Sequence, residues 1–264
     1  MNRLTEIADK TRQRIRERRR QKPIERLIQE AEKAGSYTGP SFEEAMEGPE
    51  LSFICEVKKA SPSKGLIARE FAYMEIASAY EHSGASAISC LTEPFYFQGS
   101  DRYLEEIASR AHIPLLRKDF TVDPYMIYEA RLLGASAVLL ICALLTDREL
   151  KQYRELAQSL GMSALVEVHT KAEAERALES GARIIGVNSR DLTTFEVRLE
   201  TLEELGAMIP RDRILIAESG IHSAAQLDYC KSCGADGVLI GEALMRTPDP
   251  GEALKRLRGE MKRE

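Results

Sequence analysis

Leu133-Gly134-Ala135-Ser136-Ala137-Val138 decides the fold, because the chain writes close variants of it at three other places. Ser83-Gly84-Ala85-Ser86-Ala87-Ile88 precedes it. Ser180-Gly181-Ala182-Arg183-Ile184-Ile185 and Cys233-Gly234-Ala235-Asp236-Gly237-Val238 follow, at intervals of about 50 residues. Each reads as a helix that stops on a glycine, where a left-handed C-cap costs least, followed at once by an apolar strand. An interval of about 50 residues is close to two βα units, since a TIM barrel spends about 250 residues on eight.

Other apolar runs fall between these strands, at 53–58, 114–118, 163–168 and 213–218. Eight strands are therefore expected, beginning near residues 53, 86, 114, 137, 163, 184, 213 and 237. Helical periodicity separates them, as at 147–160 and 171–180. Near-continuous apolar strands alternating with helices mean a parallel sheet covered by helices. Eight regular units favour a closed α/β (β/α)8 TIM barrel over an open doubly wound sheet. No G-x-G-x-x-G follows the first strand, which argues against a dinucleotide-binding version. Residues 1–50 fall outside the repeat. Pro23 suits a helix start, Ile24, Leu27, Ile28 and Ala31 share a helical face, and 35–40 breaks the chain. The expectation is one domain over 1–264, with an N-terminal helical extension at 1–50 and the barrel at 51–264.

The 264 residues suffice for a large core, and the net charge of −5 argues against a dedicated nucleic-acid binder. No apolar run reaches the roughly 18 residues of a membrane span, and the N-terminus has no signal-peptide core. Cys55, Cys90, Cys142, Cys230 and Cys233 are odd in number, and three lie in apolar strand-like runs; buried thiols in a reducing cytoplasm are expected. Lys10 to Lys22 is dense in Lys and Arg and includes Arg18-Arg19-Arg20. It reads as the solvated face of a helix, with Leu4, Ile7 and Ile15 as a thin docking stripe; contact with RNA or a membrane surface is the alternative.

In a barrel the functional positions are the C-terminal ends of strands. Here those ends carry Glu56 and Lys58, then Lys118 and Asp119, Glu167 and His169, Asn188 and Arg190, and Glu218 and Ser219. Side chains two apart share a strand face. Alternate strands contribute one layer of a barrel interior. Glu56, Lys58, Lys118, Glu167 and Glu218 all come from odd strands, so three carboxylates and two ammoniums should meet at one height and titrate together. A structural ion-pair network is the bland explanation. Charges buried for stability alone gain little over apolar replacements, so acid/base catalysis fits better. Glu218-Ser219-Gly220-Ile221 and Ile240-Gly241-Glu242-Ala243 follow the last two strands, where barrels frequently build a phosphate site. A small sugar phosphate is the implied ligand.

These residues resemble the indole-3-glycerol phosphate synthase family of tryptophan biosynthesis. The resemblance rests on Glu56-Val57-Lys58-Lys59-Ala60-Ser61-Pro62-Ser63-Lys64-Gly65, Leu116-Arg117-Lys118-Asp119-Phe120, Leu165-Val166-Glu167-Val168-His169, Asn188-Ser189-Arg190-Asp191-Leu192 and Glu218-Ser219-Gly220, in order along the barrel. Ser189, Arg198 and Met126 depart from the family's usual residues. The resemblance implies a carboxy-lyase that closes an indole ring on 1-(2-carboxyphenylamino)-1-deoxyribulose 5-phosphate, with loss of carbon dioxide and water. It implies Lys118 as general acid, with Glu167, Glu56 and Lys58 as candidates for the dehydration. Asn188 and Glu218 would hold ribulose hydroxyls or orient Lys118 and Glu167. Lys58, Ser219, Gly220, Gly241 and Glu242 would take the phosphate, and Ser61 and Arg190 the carboxylate. Pro62, Phe97, Phe120, Leu140 and Leu192 would line the aromatic slot.

No metal or redox cofactor is expected, and Cys230-x-x-Cys233 reads as structural. His169 reads as support for its loop. The only partner expected is the sugar-phosphate substrate, with no nucleic acid and no membrane; a monomer is expected, a homodimer being the alternative. Two rival readings are an aldolase with a Schiff base on Lys118, and a non-catalytic phosphate- or RNA-binding barrel using Lys10–Lys22.

Overall fold

The repeat unit builds the same joint each time in the computed structural model, which describes residues 3–68, 70–191, 194 and 196–259. Gly84, Gly134, Gly181 and Gly234 have φ of 83°, 84°, 80° and 87°. The alanine after each donates back to the carbonyl five residues earlier: Ala85 to Tyr80 (3.0 Å), Ala135 to Ala130 (2.9 Å), Ala182 to Ala177 (3.1 Å) and Ala235 to Cys230 (3.0 Å). The chain then turns directly into a strand.

The strands are β1 (Ser52–Val57), β2 (Ala87–Leu91), β3 (Leu115–Lys118), β4 (Ala137–Ile141), β5 (Ser163–Val168), β6 (Ile184–Asn188), β7 (Ile214–Glu218) and β8 (Gly237–Ile240). Each begins within one residue of its expected start. All pair in parallel with their sequence neighbours, and β1 also pairs with β8, closing a TIM barrel. A short antiparallel ribbon, Ala60–Ser61 with Gly65–Leu66, shapes the loop after β1.

Two apolar layers follow from the period of two along each strand. Ile54, Leu116, Leu139, Ile141, Leu165, Ile216 and Leu239 fill the barrel interior. Val57, Cys90, Val138, Leu140, Val166 and Val187 face the surrounding helices. Phe42 and Met46, each 1% exposed, pack into the interior cluster from the segment before β1. Arg183, just before β6, pairs with Glu43 at 2.8 Å and Glu47 at 2.9 Å, which sets this plug at the N-terminal mouth.

The N-terminal extension is two helices, α1 (Arg3–Gln21) and α2 (Ile24–Ala34). The docking stripe is wider than expected, since Ala8, Thr11 and Arg14 are buried with Leu4, Ile7 and Ile15. The basic run is only partly a solvated face. Arg14 pairs with Asp119 at 2.8 Å, Arg18 with Asp101 at 2.6 Å and Glu129 at 2.9 Å, and Arg19 with Asp123 at 2.6 Å. Those arginines tie α1 to the C-terminal end of β3 and to the helices α3 (Asp101–Ala108) and α4 (Pro124–Leu132) with its cap Asp123. Among the described residues, no helix is long and apolar enough to cross a membrane.

Candidate active site

Residues at the C-terminal strand ends converge on one cavity. Glu56, Lys58, Lys118, Glu167, Asn188, Arg190 and Glu218 line it, with Ser61, Pro62, Phe97, Phe120, Ser219, Gly220, Gly241 and Glu242. The strand register explains the convergence: β5 pairs with β4 as Glu167 with Ile141, and β6 with β7 as Asn188 with Glu218. Parallel neighbours keep the same face, so inward residues recur at matched heights.

Lys118 is the hub. Its Nζ donates to Glu167 Oε2 at 2.8 Å and to Glu218 Oε2 at 2.9 Å. Burial works against its charge, but Glu167, Glu218 and Glu56 outweigh that and hold it as an ammonium with its pKa raised. Burial alone would lift Glu167; the charges of Lys118 and His169 and hydrogen bonds from Lys118 and Asn188 draw it down to about 2. Glu218 goes the other way. Burial, reinforced by the nearby Glu167, pushes it up to about 7 against the pull of Lys118. Its Oε1 is buried and meets no hydrogen-bond donor among the described residues.

Glu56 and Lys58 form a second close ion pair, 5% and 15% exposed at the side chain. A Cβ at Gly241 would fall on Glu56 Oε2 and stand 3.0 Å from Lys58 Nζ, so any side chain there would push this ion pair aside. The last loops have special backbone too. Ser219 adopts φ 69° and Gly220 φ 78°, a left-handed pair that a non-glycine residue enters only against about 1–2 kcal/mol. Glu242 receives Lys64 at 3.5 Å, Arg190 at 3.7 Å and Arg246 at 3.6 Å, tying together the loops after β1, β6 and β8.

The apolar wall differs in one place from expectation. Leu140 does not reach the cavity; it is fully buried among the outward-facing residues of β4, and Leu139 and Ile141 line the cavity instead. The strand face was misassigned by one position, and a period of two turns such a slip into the opposite side of the sheet. Leu192 lies outside the described residues. Phe97 and Phe120 stand 6.0 Å apart between ring centroids. The loop holding Phe97 is formed around Glu93, a buried carboxylate that accepts from Phe95, Tyr96 and Phe97 N–H groups at 2.7–2.9 Å.

Sequence reading missed that α1 closes one side, with Arg3, Leu4 and Ile7 in the cavity wall. The apolar pair was legible as a docking stripe of an extension lying over the barrel, but its reach into the cavity was not. Ser189, buried, lends its carbonyl to Arg198 N–H at 2.9 Å. Met126, equally buried, lends its own to Arg117 at 2.8 Å.

A sequence profile of the family described as indole-3-glycerol phosphate synthase matches residues 4–257. The indole-3-glycerol phosphate synthase of Ruminiclostridium cellulolyticum is 48% identical over 97% of this chain and 98% of its own length. That of Endomicrobium trichonymphae is 49% identical over 97% and 99%. Among solved structures, a 3-hexulose-6-phosphate synthase superposes with a TM-score of 0.65 at 16% identity, covering 80% of this chain and all of that one. A thiamine phosphate pyrophosphorylase from Pyrococcus furiosus gives 0.60 at 18% identity, covering 83% and 96%. Those two likenesses speak to the barrel alone.

Proposed function

The chain belongs to the indole-3-glycerol phosphate synthase family, and we propose that the Lys118-centred rim performs that family's ring closure. The enzyme is a carboxy-lyase of tryptophan biosynthesis, converting 1-(2-carboxyphenylamino)-1-deoxyribulose 5-phosphate to indole-3-glycerol phosphate, carbon dioxide and water.

The observation that carries the assignment of roles is Lys118 held between Glu167 and Glu218. Ring closure forms a bond from the carboxyl-bearing ring carbon to C2′, and the carbonyl oxygen must gain a proton as it does so. Lys118, buried and kept charged, supplies it. Carbon dioxide then leaves and its bonding pair restores the aromatic ring. Loss of water requires a proton taken from C1′ and another given to the departing hydroxyl. Glu167, ionised and aligned by Lys118 and Asn188, is the base; Lys58, paired with Glu56, is the candidate second acid. One proton is consumed per turnover, because a carboxylate becomes carbon dioxide.

Substrate placement follows the same geography. The phosphate goes to Ser219, Gly220, Gly241 and Glu242, with Lys58 adding a point charge. Ser61 and Arg190 take the carboxylate, and Pro62, Phe97 and Phe120 the aromatic ring. Glu218 orients Lys118 and Asn188 orients Glu167. The chain works as one domain, since α1 contributes to the cavity, and as a monomer, a homodimer being the alternative. The four buried thiols, Cys55, Cys90, Cys142 and Cys230, support a reducing cytoplasm.

The same geometry speaks against both rivals. A Schiff base needs a neutral amine, whereas two carboxylates keep Lys118 protonated. An RNA-binding face needs free arginines, whereas Arg14, Arg18 and Arg19 pair with barrel carboxylates. Lys118→Met and Glu167→Gln are each expected to lower kcat by about 10²–10⁴-fold, followed by the fluorescence of the indole product. Full turnover in Lys118→Met would remove the assignment.

A further inference from the structure

Nothing in this chemistry uses His169, yet its surroundings are specific. Helix α5 (Lys171–Glu179) begins after Thr170, whose hydroxyl accepts the Glu173 N–H at 3.2 Å. The Glu173 carboxylate reaches back past the cap. It accepts the His169 backbone N–H at 2.8 Å and faces the ring Nδ1 at 3.4 Å. This is a capping arrangement displaced by one residue, and it fixes the imidazole ring. The other ring nitrogen, Nε2, is buried, has no hydrogen-bond partner among the described residues, and lies 3.3 Å from Glu167 Oε1.

A neutral imidazole carries one N–H and one lone pair. Between two carboxylates, either tautomer would aim that lone pair at a negative oxygen. Protonation of both nitrogens removes the conflict. The charged groups that act most on His169 among the described residues are acidic: Glu167 at the end of β5, Glu173 on α5 and Glu218 on β7. They raise its pKa although burial acts in the opposite sense. Arg176 stands beyond Glu173, one turn along α5.

The two carboxylates that share Lys118 are therefore not equivalent. Glu167 offers Oε2 to Lys118 and Oε1 to His169. Glu218 offers Oε2 to the same ammonium, and its Oε1 has no donor. We propose that His169, braced by Glu173, is a positioning residue that fixes Glu167 as the ionised carboxylate of the pair and leaves Glu218 as the one able to carry a proton. His169 does not line the cavity, so it acts through Glu167. The inference rests on the reading of Glu167 as the base.

The test combines rate–pH profiles of wild type, His169→Gln, Glu173→Gln and Glu167→Gln with nitrogen NMR of the His169 ring in the wild-type enzyme. Loss of the imidazolium should move the acid limb of kcat/KM upward by about one pH unit or more in His169→Gln, and in the same direction in Glu173→Gln. A residue that only supports its loop would lower kcat without moving the limb. The NMR should find both ring nitrogens protonated at neutral pH, and it needs no variant should His169→Gln fail to fold. An unmoved limb in folded His169→Gln, or a neutral ring at neutral pH, overturns the role of His169 while an inactive Glu167→Gln leaves the base assignment standing. An active Glu167→Gln overturns both.

Discussion

At the scale of single residues, the site sets function against stability, and Glu218 shows how. A carboxyl whose folded pKa is raised binds a proton more tightly in the folded state than in the unfolded one. Its contribution to stability is greatest below the unfolded value, 4.5, and is lost as pH rises toward the folded value of about 7. Glu218→Gln removes that penalty. Its stability relative to wild type should therefore grow between pH 4.5 and about 7, by about 3 kcal/mol at most, while turnover falls because Lys118 loses an orienting partner. Urea unfolding of both proteins across that range checks the sign: a gap that closes with rising pH would contradict it. The residue scale also shows what a sequence can disclose. Charged residues on one strand parity were legible because they violate the apolar rule of a barrel interior. Leu140 was misplaced because a leucine among leucines carries no such contrast, so nothing in the run 138–141 marks which residues turn inward. His169 was visible only as a polar residue near a strand end, since its meaning depends on Glu173 after the turn.

At the scale of elements, the N-terminal helix is joined to the catalytic strand by a buried ion pair. Asp119, next to Lys118, accepts from Arg14, from the Thr92 hydroxyl at 2.7 Å and from the Phe120 N–H at 2.8 Å. Arg14→Met would leave that buried carboxylate with the more distant Arg117, at 3.8 Å, as its cation, so the loss should stay below the roughly 3–5 kcal/mol typical of a fully uncompensated buried charge. The Michaelis constant should rise as well, because α1 carries Arg3, Leu4 and Ile7 into the cavity wall. Arg14→Met with Asp119→Asn should recover part of the lost stability, since the weakened carboxylate is then neutral and Arg117 keeps Asp101 and Glu129 as partners; a double-mutant cycle by calorimetry measures this. A basic run gives no sign of where its partners lie, because Asp101, Asp119, Asp123 and Glu129 are about 100 residues away in sequence. The glycine joints, by contrast, are local and were fully legible. Gly134→Ala should lose about 1–2 kcal/mol in urea unfolding and leave kcat unchanged, since φ is 84° and the new Cβ would stand 2.9 Å from that of Ala108.

At the scale of the whole molecule, a barrel separates its two ends. The eight-fold architecture was legible because repetition multiplies a weak local signal, whereas closure between β1 and β8 is a tertiary event that no local run encodes. Chemistry gathers at the C-terminal mouth and Phe42 with Met46 seals the N-terminal one, so damage at the two ends should have different consequences. Phe42 is 1% exposed inside the interior cluster, and Phe42→Ala should destabilise by about 3–5 kcal/mol through lost burial and the cavity left behind. Among the described residues, the plug's polar partners Arg183 and Ser52 lie at the strand ends opposite the charged rim. Well below the unfolding temperature, kcat and KM of Phe42→Ala should therefore match wild type while the melting temperature falls. A variant that lost turnover before losing structure would mean that the floor of the barrel transmits strain to Lys118, and the two ends would have to be treated as one mechanical unit.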